Sequence, residues 1–212
     1  MMGKVLAISG TYRKGKTIDT LIDKAIEGLQ GTYDDIDVEK IRLIDKDIQY
    51  CRNCMVCAGD DPDKPYARCV IDDDMQEIYR KMSEADGFIL GTPVNMTAET
   101  AVMKAFLERS CFVMGKPGNY PIKGCPEPRS AKRKCALIIV SSGIVFPLMR
   151  VLCDRATPLL KDFCNGHLNA AIVGAMYAGG VTRIGVEPYY DEAVRLGKRL
   201  GKWVERGMKG EE

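Results

Sequence analysis

The stretch VLAISGTYRKGKT at residues 5–17 joins an apolar run to a helical pattern through a loop of small, polar and cationic residues. A loop of this kind between a strand and a helix favours an anion, because its free amides and the helix N-terminus carry partial positive charge. The loop also supplies hydroxyl groups and ammonium groups, from Ser9, Thr11, Lys14, Lys16 and Thr17. The sequence therefore predicts a phosphorylated ligand at this loop.

Two ligand classes fit the loop. Gly10, Gly15, Lys16 and Thr17 match G-x-x-x-x-G-K-[ST], the pattern of nucleotide triphosphate P-loops. The same stretch, with Arg13 and Gly15, also resembles the looser flavodoxin-type loop that surrounds the single phosphate of FMN. A basic loop that binds nothing is the third interpretation. The rest of the chain has to decide between them.

Strand patterns and helix patterns alternate along the chain. Apolar or alternating runs predict strands at 4–8, 36–43, 87–90, 135–140 and 170–176. Helical spacing predicts helices at 18–29, 75–82, 98–112, 146–163 and 189–204, and Pro158 could break the fourth of them. This order predicts an α/β fold with a parallel sheet covered on both faces. The long irregular segments 49–70 and 115–133 are expected to be functional or mobile loops.

Bulk composition sets limits on the class of protein. A chain of 212 residues with 46% hydrophobic content predicts one domain, 1–212. A net charge of +2 gives no reason to expect nucleic-acid or membrane binding. The start of the chain lacks the pattern of a secretory signal, so a cytoplasmic location is expected. In that reducing compartment the nine cysteines should not form structural disulfides.

The ends of two predicted strands separate the ligand classes. A triphosphate site needs a carboxylate that organises Mg²⁺, usually at the end of a buried strand. Here the strands run into Thr92 and Pro93 and into Ser141, Ser142 and Gly143, none of which is acidic. Together with Val94, Asn95 and Met96, these residues offer amides, hydroxyls and apolar surface, which suit a flat aromatic ring at the sheet edge. The strand ends therefore favour FMN over a nucleotide triphosphate.

Several motifs occur in a characteristic order: Ser9-Gly10-Thr11 with Arg13-Lys14-Gly15, then 71–75 (IDDDM), 85–94 (ADGFILGTPV) and 104–109 (KAFLER). In this order and at these separations the chain resembles the NADPH-dependent FMN reductase family. The resemblance implies a flavodoxin-like three-layer sandwich whose five-stranded parallel sheet has the order 2-1-3-4-5. It also implies bound FMN, NAD(P)H as an electron donor, and a homodimer or homotetramer.

Four cysteines cluster in the segment 49–70. Cys51, Cys54 and Cys57 form C-x2-C-x2-C, and Cys69 follows after eleven residues. Two-residue gaps allow three thiolates of one loop to converge on a metal cluster. In relatives called iron–sulfur flavoproteins a compact group of four cysteines here binds a [4Fe–4S] cluster, and the chain resembles that branch. A zinc site and a metal-free loop stay open as alternatives.

These features predict an FMN-binding oxidoreductase that moves electrons between a [4Fe–4S] cluster or NAD(P)H and FMN. The flavin carries the chemistry, so we name no catalytic side chain. The electron partners are expected to be small molecules or proteins, such as a ferredoxin-like carrier. The alternatives are an NAD(P)H-dependent reductase of FMN or quinones without a cluster, a P-loop NTPase, and a zinc-stabilised redox sensor.

Overall fold

A five-stranded parallel sheet forms the centre of the computed structural model, which describes residues 2–119 and 122–209. Residues 1, 120, 121 and 210–212 of the predicted domain lie outside the described part. The strands of the sheet are β1 (Gly3–Ser9), β2 (Ile36–Arg42), β3 (Gly87–Pro93), β6 (Lys134–Ser142) and β7 (Ala170–Gly179). Their spatial order is β2-β1-β3-β6-β7, which confirms the predicted order 2-1-3-4-5. Two short strands, β4 (Gly115–Pro117) and β5 (Pro126–Pro128), form a separate antiparallel pair.

Helices cover both faces of the sheet, which confirms the flavodoxin-like three-layer sandwich. On one face α1 (Thr17–Gln30) and α6 (Tyr190–Lys209) pack on Val5, Ala7 and the residues of the other strands that point to the same face. On the opposite face lie α2 (Met75–Glu84), α3 (Ala101–Met114) and α4 (Ala156–Leu168). A short helix, α5 (Val181–Ile184), follows β7. Every residue of β6 is buried, as its apolar sequence predicts for a strand covered on both sides.

The helices α1 and α6 cross at backbone contact. A Cβ atom at Gly197 would lie 1.9 Å from the carbonyl oxygen of Ala25, and one at Gly28 would lie 2.1 Å from that of Val194. Real Cβ atoms do not approach carbonyl oxygens so closely, so this crossing requires glycine at both positions. The crossing fixes α1, and therefore the loop that precedes it.

Three details of the predicted elements are wrong. The predicted helix 146–163 is a 3₁₀ helix, Pro147–Leu152, followed by a break at residues 153–155 and then α4; Pro158 lies in the first turn of α4 and does not break it. The carboxylate of Asp154 accepts hydrogen bonds from the amide and hydroxyl of Thr157, at 2.9 and 2.7 Å, and so starts a new helix. The predicted helix 98–112 begins instead at Ala101, because the Thr100 hydroxyl caps it by accepting a bond from the Met103 amide. The irregular segment 115–133 contains β4 and β5.

Across residues 2–119 and 122–209, no helix combines the length and apolar character that a membrane span requires.

Candidate functional site

The three loops predicted to hold the ligand meet at one edge of the sheet. The strands that precede them, β1, β3 and β6, are direct neighbours and parallel, so their carboxyl ends lie side by side. The Gly10 amide donates to the Gly91 carbonyl oxygen at 2.8 Å, and the Val94 amide donates to the Ser141 carbonyl oxygen at 2.7 Å. The structure therefore brings together the loop 9–17, the loop 92–96 and the loop 141–143.

The loop 9–17, called the phosphate loop below, leads into an uncapped helix. Lys16, which precedes α1, makes no side-chain capping bond, so the first amides of the helix remain available to an anion. Arg13, Lys14 and Lys16 are exposed around it, and Lys14 forms an ion pair with Asp45. Gly15 has a φ of 63°, a left-handed conformation that glycine adopts without strain. The remaining members, Thr11 and Thr17, are buried and half-buried.

Asp19 organises the phosphate loop, and the sequence analysis did not identify it. Its residue is only 1% exposed, and its carboxylate accepts bonds from the Ser9 hydroxyl at 2.6 Å and the Gly15 amide at 2.9 Å. The ammonium of Lys40 lies 3.5 Å away. Burial raises the pKa of Asp19, but Ser9, Gly15 and Lys40 together outweigh burial and hold the pKa below 3.8. The Ser9 hydroxyl is therefore directed at Asp19, and the sequence signal for this role is an acidic residue in the first turn of α1.

The loops after β3 and β6 use most of their polar side chains within the protein. The Thr92 hydroxyl, which is buried, accepts a bond from the Thr100 amide at 3.3 Å. The Ser142 hydroxyl accepts from the Val145 amide at 3.3 Å. Asn95 and Met96 are exposed, and Met96 has a left-handed φ of 49° that directs the chain through a tight turn. Among residues 92–96 and 141–143, the exposed side chains are therefore Asn95 and Met96.

The start of α3 is attached to the phosphate loop. The Thr100 hydroxyl donates to the Gly10 carbonyl oxygen at 2.5 Å. The Tyr12 hydroxyl accepts a bond from the Ala101 amide at 3.0 Å, which satisfies one of the free amides of the helix. The position of the phosphate loop therefore depends on α3 as well as on α1.

The four clustered cysteines lie on one loop, residues 49–70, which packs beside α3 and is called the cysteine loop below. Cys51 and Cys54 are exposed, Cys57 and Cys69 are half-buried, and none is in a disulfide. Burial raises the pKa of Cys57, and the neighbouring thiols of Cys69 and Cys51 raise it further. Within the described residues, no three Cys, His, Asp or Glu side chains converge closely enough to hold a metal ion. The thiols are therefore neighbours without forming a closed ligand set.

The donor chemistry of this loop nevertheless fits a thiolate-bound cluster. The guanidinium of Arg109 donates from Nη2 to the Sγ of Cys69 at 3.5 Å, and four cysteine thiols are the donor set that an iron–sulfur cluster uses. The Nε of the same guanidinium is buried and has no hydrogen-bond partner among the described residues. Sequence reasoning missed Arg109 and also Arg129, whose guanidinium donates to the carbonyl oxygen of Cys57 at 2.9 Å, because both residues are remote from this loop in the chain.

Two cavities among the described residues lie at opposite edges of the sheet, and neither contains the phosphate loop in full. A cavity of about 1200 Å³ lies at the opposite edge of the sheet, beside Lys4, Lys134 and Trp203. A cleft of about 290 Å³ lies between Tyr12 of the phosphate loop, Tyr50 of the cysteine loop and the first turns of α3. The smaller cleft therefore separates the two candidate sites.

Comparison with known proteins agrees with this arrangement. A family model described as NADPH-dependent FMN reductase matches residues 3–180. An iron-sulfur flavoprotein of Methanosarcina thermophila is 34% identical over 120 residues, which cover 57% of this chain and 58% of that protein. One from Methanocaldococcus jannaschii is 36% identical over 107 residues, which cover 50% of this chain and 51% of that protein. The chain thus spans about half the length of the curated relatives it matches.

Among solved structures, an FMN-dependent NADH-azoreductase from Bacillus anthracis, in complex with FMN, has a similar fold. Its TM-score is 0.66 at 15% sequence identity, and the match covers 94% of this chain and 100% of that chain. At this identity the likeness shows a shared fold.

Proposed function

The chain belongs to the NADPH-dependent FMN reductase family, and from this premise we propose that it is a flavin-dependent oxidoreductase that binds FMN at the carboxyl edge of its sheet. The phosphate would lie on the loop formed by Ser9, Thr11, Arg13, Lys14, Gly15, Lys16 and Thr17, in which the Ser9 hydroxyl and the Gly15 amide bond to Asp19 and shape the loop. The ring would lie against residues 92–96 and 141–143. The observation that carries this proposal is the uncapped start of α1 beside exposed cations, where β3 and β6 also end. The FMN complex of the azoreductase, which has the same fold, supports it.

FMN, when bound, supplies one-electron and two-electron transfer. The residues of the chain then have three tasks, which are to bind the phosphate, to orient the ring and to exclude water from one of its faces. None of these tasks requires a side chain that accepts or donates a proton, and we assign no catalytic residue.

We further propose that Cys51, Cys54, Cys57 and Cys69 hold a [4Fe–4S] cluster. The names of the curated relatives support this assignment, as does the guanidinium beside Cys69. The cluster would exchange single electrons with an external carrier, either a small molecule or a ferredoxin-like protein.

A second candidate is an NAD(P)H-dependent reductase of FMN or quinones without a cluster. The specific observation in its favour is that the described thiols of the cysteine loop do not converge. Zinc bound by the same thiols is the third outcome that metal analysis would detect. Family membership speaks against the P-loop NTPase, for which ATP binding without flavin uptake would be required.

An apolar surface beside the flavin loops supports a homodimer or homotetramer. Residues 144–152, called the apolar segment below, include Leu148 at 94% exposure and Val151 at 85%. Exposed apolar surface of this density usually lies at an interface. For location we propose the cytoplasm, where nine unpaired thiols would persist.

Anaerobic purification, followed by a visible spectrum and analysis of iron, sulfide and zinc, tests these proposals together. A spectrum that shows flavin bands together with broad absorbance at about 400 nm, from protein that contains iron and sulfide, supports the cluster. A flavin spectrum alone supports the reductase without a cluster. Protein that stays colourless after incubation with FMN contradicts the proposed function.

A further inference from the structure

Arg109 contacts both ends of the cysteine loop. Its Nη1 donates to the carbonyl oxygen of Gln49 at 2.8 Å, two residues before Cys51. Its Nη2 donates to the Sγ of Cys69 at 3.5 Å. One guanidinium thus holds the first and the last part of the segment that carries all four cysteines.

The guanidinium itself is fixed in place. Asp73 accepts two bonds from it, from Nη1 at 2.5 Å and from Nη2 at 3.0 Å, and the two side chains are 1% and 0% exposed. The hydroxyl of Tyr79 donates to the carbonyl oxygen of Arg109 at 2.8 Å. A buried bidentate pair of this kind has one geometry, so Arg109 presents Nη2 to Cys69 from a rigid support.

Arg129 holds the middle of the same loop. Its guanidinium donates to the carbonyl oxygens of Cys57 at 2.9 Å and Asp61 at 2.7 Å. It also donates to those of Gly115 at 2.8 Å and Phe112 at 3.4 Å, near the end of α3. The segment between Cys57 and Cys69 is thereby attached to the end of α3 and to β4.

Arg129 has no carboxylate at ion-pair distance. The residue is 7% exposed, and within the described residues no Asp or Glu oxygen lies within 4.0 Å of its guanidinium nitrogens, although Asp60 and Asp61 act on its charge from further away. A buried charge that lacks a partner at ion-pair distance is unfavourable. An anionic metal–thiolate centre on the cysteine loop would add negative charge near it.

We propose that Arg109 and Arg129 are positioning residues for the cluster, that Arg109 holds Cys69 as the fourth ligand, and that both arginines raise the reduction potential. This inference rests on the proposed function, since it requires a cluster on the cysteine loop. Eleven residues separate Cys57 from Cys69 in the sequence. Arg129 holds this segment against the end of α3, and Arg109 holds Cys69 near the start of the loop, so the separation in sequence does not prevent Cys69 from acting as a ligand. Reduction adds one electron from an external carrier to an already anionic centre, and hydrogen bonds and positive charge at its thiolates favour that more negative state.

The test compares reconstituted proteins with conservative substitutions. Arg109→Lys keeps the charge and can pair with Asp73, but it lacks the second nitrogen that reaches Cys69. Arg129→Lys keeps the charge and loses most of the carbonyl contacts. The matched control is Arg80→Lys, because Arg80 lies on the surface of α2 in an exposed ion pair with Glu84. Cys69→Ser is compared with Cys125→Ser, a half-buried cysteine outside the loop.

Each variant is loaded with FMN, iron and sulfide without oxygen. Iron and sulfide per FMN, the affinity for the cluster, and the midpoint potential of the cluster are then measured. We expect Arg109→Lys and Arg129→Lys to retain FMN and to bind the cluster about 10-fold to 100-fold more weakly. Arg109→Lys, which loses the hydrogen bond to the Sγ of Cys69, should also have a more negative midpoint potential, whereas Arg129→Lys keeps its charge and should change the potential less. Cys69→Ser should lose the four-iron content, while both control variants match the wild type.

Three results would overturn the inference. The first is an unchanged iron content and midpoint potential in both arginine variants. The second is a complete four-iron cluster in Cys69→Ser. The third is a wild-type protein that binds FMN but takes up no cluster, which also contradicts the cluster assignment in the proposed function. A wild-type protein that does not bind FMN would contradict the flavin assignment itself. If Arg109→Lys fails to fold, as loss of FMN would reveal, the Arg129→Lys variant decides the question.

Discussion

Replacement of Asp19 tests whether its buried carboxylate orders the phosphate loop. Asp19→Ala removes two hydrogen bonds to a charged acceptor, from the Ser9 hydroxyl at 2.6 Å and the Gly15 amide at 2.9 Å. Bonds of this kind contribute about 1.5–3 kcal/mol each. The ammonium of Lys40 stays paired in this variant, because it also forms an ion pair with Asp23 at 2.6 Å. We expect the free energy of unfolding to fall by about 3–6 kcal/mol.

The effect on FMN is where two interpretations of Asp19 diverge. If the carboxylate only repels the phosphate, its removal tightens binding. If it orders the loop, its removal obliges FMN to order Ser9 and Gly15 on binding. Lys40 lies 3.5 Å from the carboxylate and neutralises much of its charge, so we expect the ordering effect to be larger. If about 1.4–2.8 kcal/mol of the cost of ordering the loop is met when FMN binds, and no longer when the chain folds, the Kd for FMN becomes about 10-fold to 100-fold higher.

Quenching of FMN fluorescence on titration with apoprotein measures this Kd, and urea denaturation measures the free energy of unfolding. Asp19→Asn, which keeps the shape and removes the charge, should lie between wild type and Asp19→Ala. Asp23→Ala is the matched control, since it removes an exposed carboxylate that pairs with the same lysine; it should change stability by less than about 0.5 kcal/mol. Equal or tighter FMN binding by both Asp19 variants would refute the reasoning.

Because the pKa of Asp19 is held below its usual value, its stabilising contribution is complete above about pH 5 and is lost as the pH falls through the folded-state pKa. Urea titrations at falling pH should therefore show a smaller decrease in the free energy of unfolding for Asp19→Asn than for the wild type, and an equal decrease contradicts this. Leu148→Glu with Val151→Glu should convert an oligomer to monomers by light scattering with unchanged circular dichroism, whereas retention of the wild-type mass removes the apolar segment from the interface. Gly197→Ala should lower the free energy of unfolding by about 3 kcal/mol, since its Cβ would meet the Ala25 carbonyl oxygen. Gly207→Ala, with nothing within 4 Å, should instead stabilise the helix by about 0.5–1 kcal/mol, and a similar loss in both variants would contradict the close crossing.

The fold could be predicted from the sequence because its buried strands are covered on both faces. Such strands appear as continuous apolar runs, of which β6 is the clearest, and the intervening helices carry one apolar face. The break before α4 could not be predicted in the same way. It depends on one carboxylate, Asp154, that bonds to Thr157, and apolar periodicity carries no information about that contact.

The candidate site was predictable only in part, for a related reason. Its loops follow strand ends, and strand ends can be located from the sequence. Its supporting contacts join residues that are distant in the chain, such as Arg109 with Asp73 across 36 residues and Arg129 with Cys57 across 72. Spacing rules describe neighbours on one helix or one loop, so they cannot detect these contacts.

The helix α3 connects the two candidate sites. At its start, Thr100 and Ala101 bond to the phosphate loop. Nine residues later Arg109 bonds to Cys69, a rise of about 14 Å along the helix axis. Because a helix is rigid along its axis, a displacement of the phosphate loop relative to the sheet that moves the start of α3 also moves Arg109, which holds the cysteine loop. The cleft between Tyr12 and Tyr50 lies along this same stretch of α3, so the separation between a flavin and a cluster in one chain would be set by one rigid element.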